Sequence, residues 1–463
     1  MSIESIAHRP SAEYTWAFVL SIFLSVSFTY VANLMGKDAY VIVAFAVIPL
    51  FLIAAFNLQY AMYVLIASLF IHALFYYVAP GVWCAMLLLL SFTLTRRELL
   101  LSELRTPLSV PFLAYCLMIV PSFLNASDPI RNFAMLHNLF VFCIVFHIIA
   151  ASFVRRENIQ KSISVYLFFV LLNSINVIAQ GLLTGKRAFG FAGVMFVDYV
   201  GTGLVIVTAL ALMNKGARSF YYFLLAGVFT AALVLTQTRG AWLVTAVTIA
   251  LMVMYLFFRG ERFGVSRSTI SAFSIASASF ILVVFLISRS FGVDVSKRTE
   301  EIVASKQVAV DEEGGASNSL VMRVLIWSTA YNAFRAHPVV GIGAYGFPYS
   351  SRRYSTLPRI LYDRYVKDLT PHLGYLAVVT ETGIVGLIGF LIFVLAGLKT
   401  VFKPLSLTAG FDATHSLIFA WVFTYIVISL FTTDAWLWGQ GVVLMAIVIG
   451  FACANEKLVR GMG

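Results

Sequence analysis

The run LGYLAVVTETGIVGLIGFLIFVLAGL, residues 373–398, follows Thr370-Pro371-His372 and carries a single charged side chain, Glu381. A bilayer core about 30 Å thick needs about 20 apolar residues per helix, so this run reads as a transmembrane helix. Upstream of it lies a polar insert, Phe291 to His372, and upstream of the insert the chain is almost continuously apolar. Composition agrees: 61% hydrophobic and 11% charged residues lie far from the values of a soluble globular domain. The expected fold is an all-α integral membrane protein with about fourteen transmembrane helices and one large periplasmic loop containing short helices. Barrel strands would alternate polar and apolar residues, which these runs do not.

The expected spans are 14–34, 39–55, 60–78, 80–94, 107–123, 133–153, 162–184, 199–213, 219–235, 240–258, 270–290, 373–398, 414–431 and 437–453. Residues 1–290 thus hold helices 1 to 11, 291–372 the loop and 373–463 helices 12 to 14 of one membrane domain. The first run lacks a small-residue cleavage pattern and reads as a span. Placing the N-terminus inside puts sixteen Lys and Arg on one side, against Lys37, Arg131, Lys186, Arg187 and Arg239 in the short loops of the other. The positive-inside rule then makes both termini cytoplasmic and the insert outward-facing, which in a bacterial inner membrane is the periplasmic side. The net charge of +11 follows from these loops and the insert, without nucleic-acid binding. Cys84, Cys116, Cys143 and Cys453 all fall in spans, at no metal or disulfide spacing.

Charge divides the insert. Residues 292–313 hold six acids and three bases, whereas Arg323 to Asp368 hold seven bases and two acids. Ser319 to Ala336 has apolar residues at helical spacing, with Asn318 as a cap and His337-Pro338 as the stop. Gly341, Gly343 and Gly346 follow as a loop. Arginine grips phosphate oxygens bidentately, so the basic half suits an anionic lipid headgroup. Arg335, Arg359 and Arg364 equally suit anionic lipids or acids of the loop.

Arg239 lies in TQTRGAWL (236–243), where Thr-Gln-Thr puts several donors and acceptors beside the guanidinium. A plain snorkelling span end needs only one. Lys186 and Arg187 open a second outward loop, in which Asp198 pairs with either base. His372 stands out among the seven histidines: Thr370 as N-cap and Pro371 in the first turn start a helix at it. The positive helix end would keep its ring neutral, as a general base for a hydroxyl requires. Glu381, buried in a span, is assigned electrostatic support of an outward-facing arginine, with Asp434 a weaker candidate for the same task.

TQTRGAWL and HLGYLAVVTETGIVGL, separated by a long outer loop containing MRVLIW and HPVVGIGAYGF, resemble the O-antigen ligase and polymerase superfamily of bacterial membrane glycosyltransferases. The resemblance spans Lys186 to Val394. It implies a C-type glycosyltransferase fold, a glycan donor on undecaprenyl pyrophosphate, and metal-independent transfer with inversion and no cofactor. Position by position, it puts the catalytic histidine at His372 and the donor pyrophosphate on Arg239, Arg323 and Arg187. Two departures stand out: Leu373 follows the histidine where many members have Asn, and Val197-Asp198-Tyr199 replaces an Asn-bearing turn.

The residues point the same way by themselves, since a lipid pyrophosphate is already a good leaving group and needs charge neutralisation plus one base. No Gly-rich phosphate loop or Asp-x-Asp motif indicates a nucleotide-sugar donor. The acceptor is lipid A-core for a ligase, which the basic insert favours, or a second lipid-linked glycan for a polymerase. A flippase would show two related halves with broken helices and no large loop.

Overall fold

The computed structural model describes residues 53–71, 80–95, 104–127, 129–275, 278, 319–437 and 439–461. These are helical, with no strand among them. Expected spans 14–34 and most of 39–55 and 270–290 lie outside the described residues, as do the acidic part of the insert and the Asn318 cap. The chain divides into two compact units, residues 1–99 and 100–463. In the first, α1 (Leu58–Phe70) packs on α2 (Pro80–Thr95), and the Asn57 side chain caps α1 by accepting from the Gln59 and Tyr60 amides.

The second unit begins with α3 (Ser109–Ile119), α4 (Pro129–Ser152), α5 (Arg156–Thr184), α6 (Phe196–Met213), α7 (Gly216–Leu235) and α8 (Arg239–Arg259). The insert supplies α9 (Ser319–Ala336), α10 (Phe347–Ser350) and α11 (Arg359–Tyr365), and α12 (Gly374–Leu407), α13 (Thr414–Ser429) and α14 (Gly439–Val459) complete it. Among the described residues seven helices are long and apolar enough to cross a membrane, and four shorter apolar helices accompany them. The chain is a multi-pass membrane protein. Helices stand at every expected span from 80–94 to 240–258, and again at 373–398, 414–431 and 437–453.

Helix ends gather at two faces. At one, Arg156 pairs with Asp412, and Arg262 donates to the Thr408 and Ser406 carbonyls, joining the start of α5 to the far ends of α8 and α12. At the other lie the end of α5, the starts of α8 and α12 and the end of α13, tied together by the bonds described below.

The described part of the insert has its own small core of Ile326, Ala330, Ala333, Ile342, Phe347, Tyr362 and Val366. It is fastened to α12 through a break in that helix. Gly383 has φ 66° and ψ −170°, a conformation available essentially only to glycine. Into the gap goes the backbone of residues 338–343: the Ile342 and Gly343 amides donate to the Thr380 and Glu381 carbonyls, and the Ile384 and Val385 amides to Pro338 and Val339. Helix groups orphaned by the break are thus paired with the insert. From α3's end, Asn125 Nδ2 donates to the Gly341 carbonyl at 2.9 Å, and Ser122 Oγ accepts from the Ala344 amide.

Candidate active site

The site is built on the turn that follows α13, residues 430–434. The Gly374 amide donates to the Leu430 and Thr433 carbonyls at 2.7 and 3.1 Å. A Cβ on Gly374 would lie 2.4 Å from Leu430 Cδ2, so any side chain here would have to displace buried Leu430 for α12 to start this close to the turn. On the other flank Gly240 meets Thr432, where an added Cβ would approach within 3.2 Å. The same few residues therefore hold the start of α12, beside His372, and the start of α8, beside Arg239.

His372 is not the first residue of a helix, contrary to the sequence reading. Helix α12 begins at Gly374 with Leu373 at its cap, and Thr370 caps nothing there. His372 has φ 53°, in the left-handed region that a residue with a side chain enters at a cost. Asp434, 5% exposed, offsets that cost: its Oδ2 accepts the His372 backbone amide at 3.1 Å, and its Oδ1 lies 3.9 Å from Nδ1 of the ring. Thr370 Oγ1 stands 3.4 Å from the same ring nitrogen. Burial lowers the imidazole pKa below the ordinary value, the nearby Arg323 lowers it further, and Asp434 opposes both. Neutrality thus comes chiefly from desolvation. The side chain stays 35% exposed and reachable by a substrate.

Arg323 lies on α9, within electrostatic reach of both Asp434 and His372. One turn along, Trp327 Nε1 donates to the Pro371 carbonyl at 2.9 Å, which fixes α9 against the segment entering His372. Burial pulls the Arg323 pKa down and Asp434 raises it. A guanidinium nevertheless stays charged at neutral pH.

Arg187 braces the loop ahead of α8. Its Nε donates to the Thr236 carbonyl and its Nη2 to Thr238 Oγ1, each at 2.9 Å, with Phe189 beneath the guanidinium at 4.6 Å. The braced turn includes Gln237 at φ 52° and presents Arg239 as the first residue of α8. The expected pairing of Asp198 with Lys186 or Arg187 gives way to these contacts. Asp198 lies buried at the start of α6, within electrostatic reach of Asp434.

Glu381 is 2% exposed, and its role differs from the one expected. Instead of an arginine it holds two backbone amides of the insert, Tyr345 on Oε2 at 3.0 Å and Phe347 on Oε1 at 3.2 Å. Asp434, ranked below it from sequence, is the carboxylate that touches the histidine. Its signal was present as an acid in the short turn between two apolar runs, but sixty-two residues separate it from His372.

Residues 221–391 match a family model described as O-antigen ligase. This domain belongs to the O-antigen ligase/polymerase superfamily. Arg239, Arg323, His372 and Glu381 fall inside the matched O-antigen ligase residues, whereas Arg187 and Asp434 fall outside and are bonded into the same site. No curated protein matches the chain.

Proposed function

We propose that the protein is a metal-independent, inverting glycosyltransferase that moves a glycan from undecaprenyl pyrophosphate to an acceptor hydroxyl at the periplasmic face of the inner membrane. What supports this reading is an Asp434-held His372 with Arg323 within electrostatic reach, and the start of α8, whose first residue is Arg239, packed against the same turn. In the reaction His372 takes the proton of the acceptor hydroxyl as its oxygen attacks the anomeric carbon from the face opposite the leaving group. The carbon–oxygen bond to the pyrophosphate breaks, and undecaprenyl pyrophosphate departs with its charge neutralised by the two arginines. Asp434 orients the imidazole and stabilises the imidazolium that forms.

Lipid A-core is the preferred acceptor, because the second half of the insert is basic and such an acceptor carries phosphates. Under a polymerase reading the acceptor is a second lipid-linked glycan. Supplying purified lipid-linked glycan with and without lipid A-core separates them: transfer that requires the core supports the ligase, and chain extension without it supports the polymerase. The same assay with a chelator should retain full activity, and strong inhibition would oppose metal independence.

Arg239→Ala and Arg323→Ala should each lower kcat/KM for the donor by about 10²-fold, the scale of losing one charge-stabilising donor. Unchanged donor kinetics in both would remove them from the pyrophosphate site. The pH profile tests the base. With the His372 pKa below its ordinary value, activity should be flat around neutrality and fall only on the acid side, where the ring protonates. Asp434→Asn keeps an acceptor for the backbone amide but removes the charge that raises the pKa, so the acid limb should move to lower pH while kcat drops. An acid limb that stays in place or moves upward would contradict this assignment.

A further inference from the structure

Exposed apolar residues on the second unit fall into ordered stripes. On α12 beyond the break, Ile384, Ile388, Leu391 and Leu395 are exposed, and their spacing sets them on one face of the helix. On α3 and the short 3-10 turn that continues it (Val120–Asn125), Val110, Leu113, Leu117 and Val120 form a matching stripe. The two helices pack side by side: a Cβ on Gly389 would lie 3.0 Å from Met118 Cβ, and the Tyr115 and Phe390 rings are 5.4 Å apart. A double stripe of this kind on a multi-pass protein faces hydrocarbon.

Both stripes run up to one place on the insert. Leu124, near the end of the turn after α3, is 86% exposed, and Val339, whose carbonyl accepts the Val385 amide, is 60% exposed. Asn125 links the two, since its Nδ2 donates to the Gly341 carbonyl and lies 3.3 Å from His337 Nδ1. Depth can be read from α12. Residues 384–403 measure about 30 Å at the helical rise, the thickness of the hydrocarbon, and carry no charge before Lys399. The break and Val339 therefore stand at the boundary of the leaflet on the His372 side. A loop at that depth needs its backbone polar groups satisfied. The Pro338, Val339 and Gly341 carbonyls and the Gly341, Ile342 and Gly343 amides are all bonded, to α12, Asn125 or His337. We propose that residues 338–341, with Val339 leading and Leu124 beside them, dip among the acyl chains of this leaflet, so that phospholipid holds the insert from outside while α12 holds it from within.

Reconstitution of the full chain in phospholipid vesicles tests this. A phospholipid with a photoactivatable diazirine high on its acyl chain should, on irradiation, crosslink to residues 338–341 and 120–124 of the unaltered protein as well as to α12. A nitroxide carried by Val339→Cys or Leu124→Cys should meet oxygen in preference to an aqueous nickel chelate, with an accessibility ratio at least about fivefold above that of Arg359→Cys, since hydrocarbon excludes the polar chelate. Arg359 is the aqueous reference, its side chain 85% exposed on α11. Parent protein treated in the same way corrects for the four native cysteines. Ratios at 339 and 124 no higher than at 359, or crosslinks confined to residues beyond 384, would overturn the proposal. So would a label at 339 shielded from both reagents, the result if residues 1–99 or a second copy of the chain cover the tip in place of lipid.

Discussion

His372→Ala is expected to lower glycan transfer by about 10²- to 10⁴-fold, the usual contribution of a positioned general base, while the protein accumulates as the parent does. The ring nitrogen that would take the proton has no substitute of the same kind at the turn. Its neighbours there are Thr370, a weakly basic hydroxyl, Asp434, whose Oδ2 already accepts a backbone amide, and Arg323, a cation. Backbone strain supplies a second variant. Residue 372 sits at φ 53°, which glycine adopts without penalty, so His372→Gly removes the imidazole and relaxes the chain together. Both variants should be inactive in a reconstituted assay, with His372→Gly at least as stable as the parent to heat. Full transfer by either would dismiss the histidine as base.

The second large effect belongs to the break in α12. Gly383→Ala puts a methyl group 2.2 Å from the Val339 carbonyl oxygen in a conformation closed to alanine, and the backbone exchange between residues 338–343 and the helix cannot survive it. Glu381→Ala attacks the same junction from the side chain by orphaning the Tyr345 and Phe347 amides, at about 1–3 kcal/mol for each buried donor. Glu381→Gln leaves one acceptor and turns an amino group toward the other amide, so its loss should be intermediate. Activity should fall at least about tenfold in Glu381→Ala and further in Gly383→Ala, with faster proteolytic cleavage between residues 338 and 347 in both. Wild-type cleavage together with wild-type transfer would show that the insert does not depend on this anchor.

Much of this was legible in the residues because the bilayer makes hydrophobic length nearly decisive. Helices α4 to α8 stand where apolar runs of membrane length predicted them, and Ser319–Ala336 is helical between the expected limits. Arg239 stood out for the Thr-Gln-Thr run before it, His372 for the Thr-Pro pair ahead of a membrane span, and Arg323 for the basic half of the insert and the resemblance of MRVLIW. What eluded the reading was tertiary pairing. Glu381 looked like a charge seeking an arginine, because sequence gives no sign that two backbone amides from residues 345 and 347 converge on it. Thr370-Pro371-His372 has the composition of a helix start, but the Gly374 bonds to Leu430 and Thr433 delay the helix by two residues and force His372 into the left-handed region. Asp434 was underrated for the same reason, since its partner is distant in the chain.

The turn at 430–434 also bears on how the enzyme sits in membranes of different thickness. Transmembrane helices adapt to a thinner or thicker bilayer by tilting. Gly240, next to Arg239, packs on Thr432 and His372 is bonded to Asp434, so a tilt that displaces the turn carries both residues along together. Trp327, bonded to Pro371, brings Arg323 with them. The spacing of these residues is thereby insulated from the lipid environment, while the long apolar bodies of the helices absorb the mismatch.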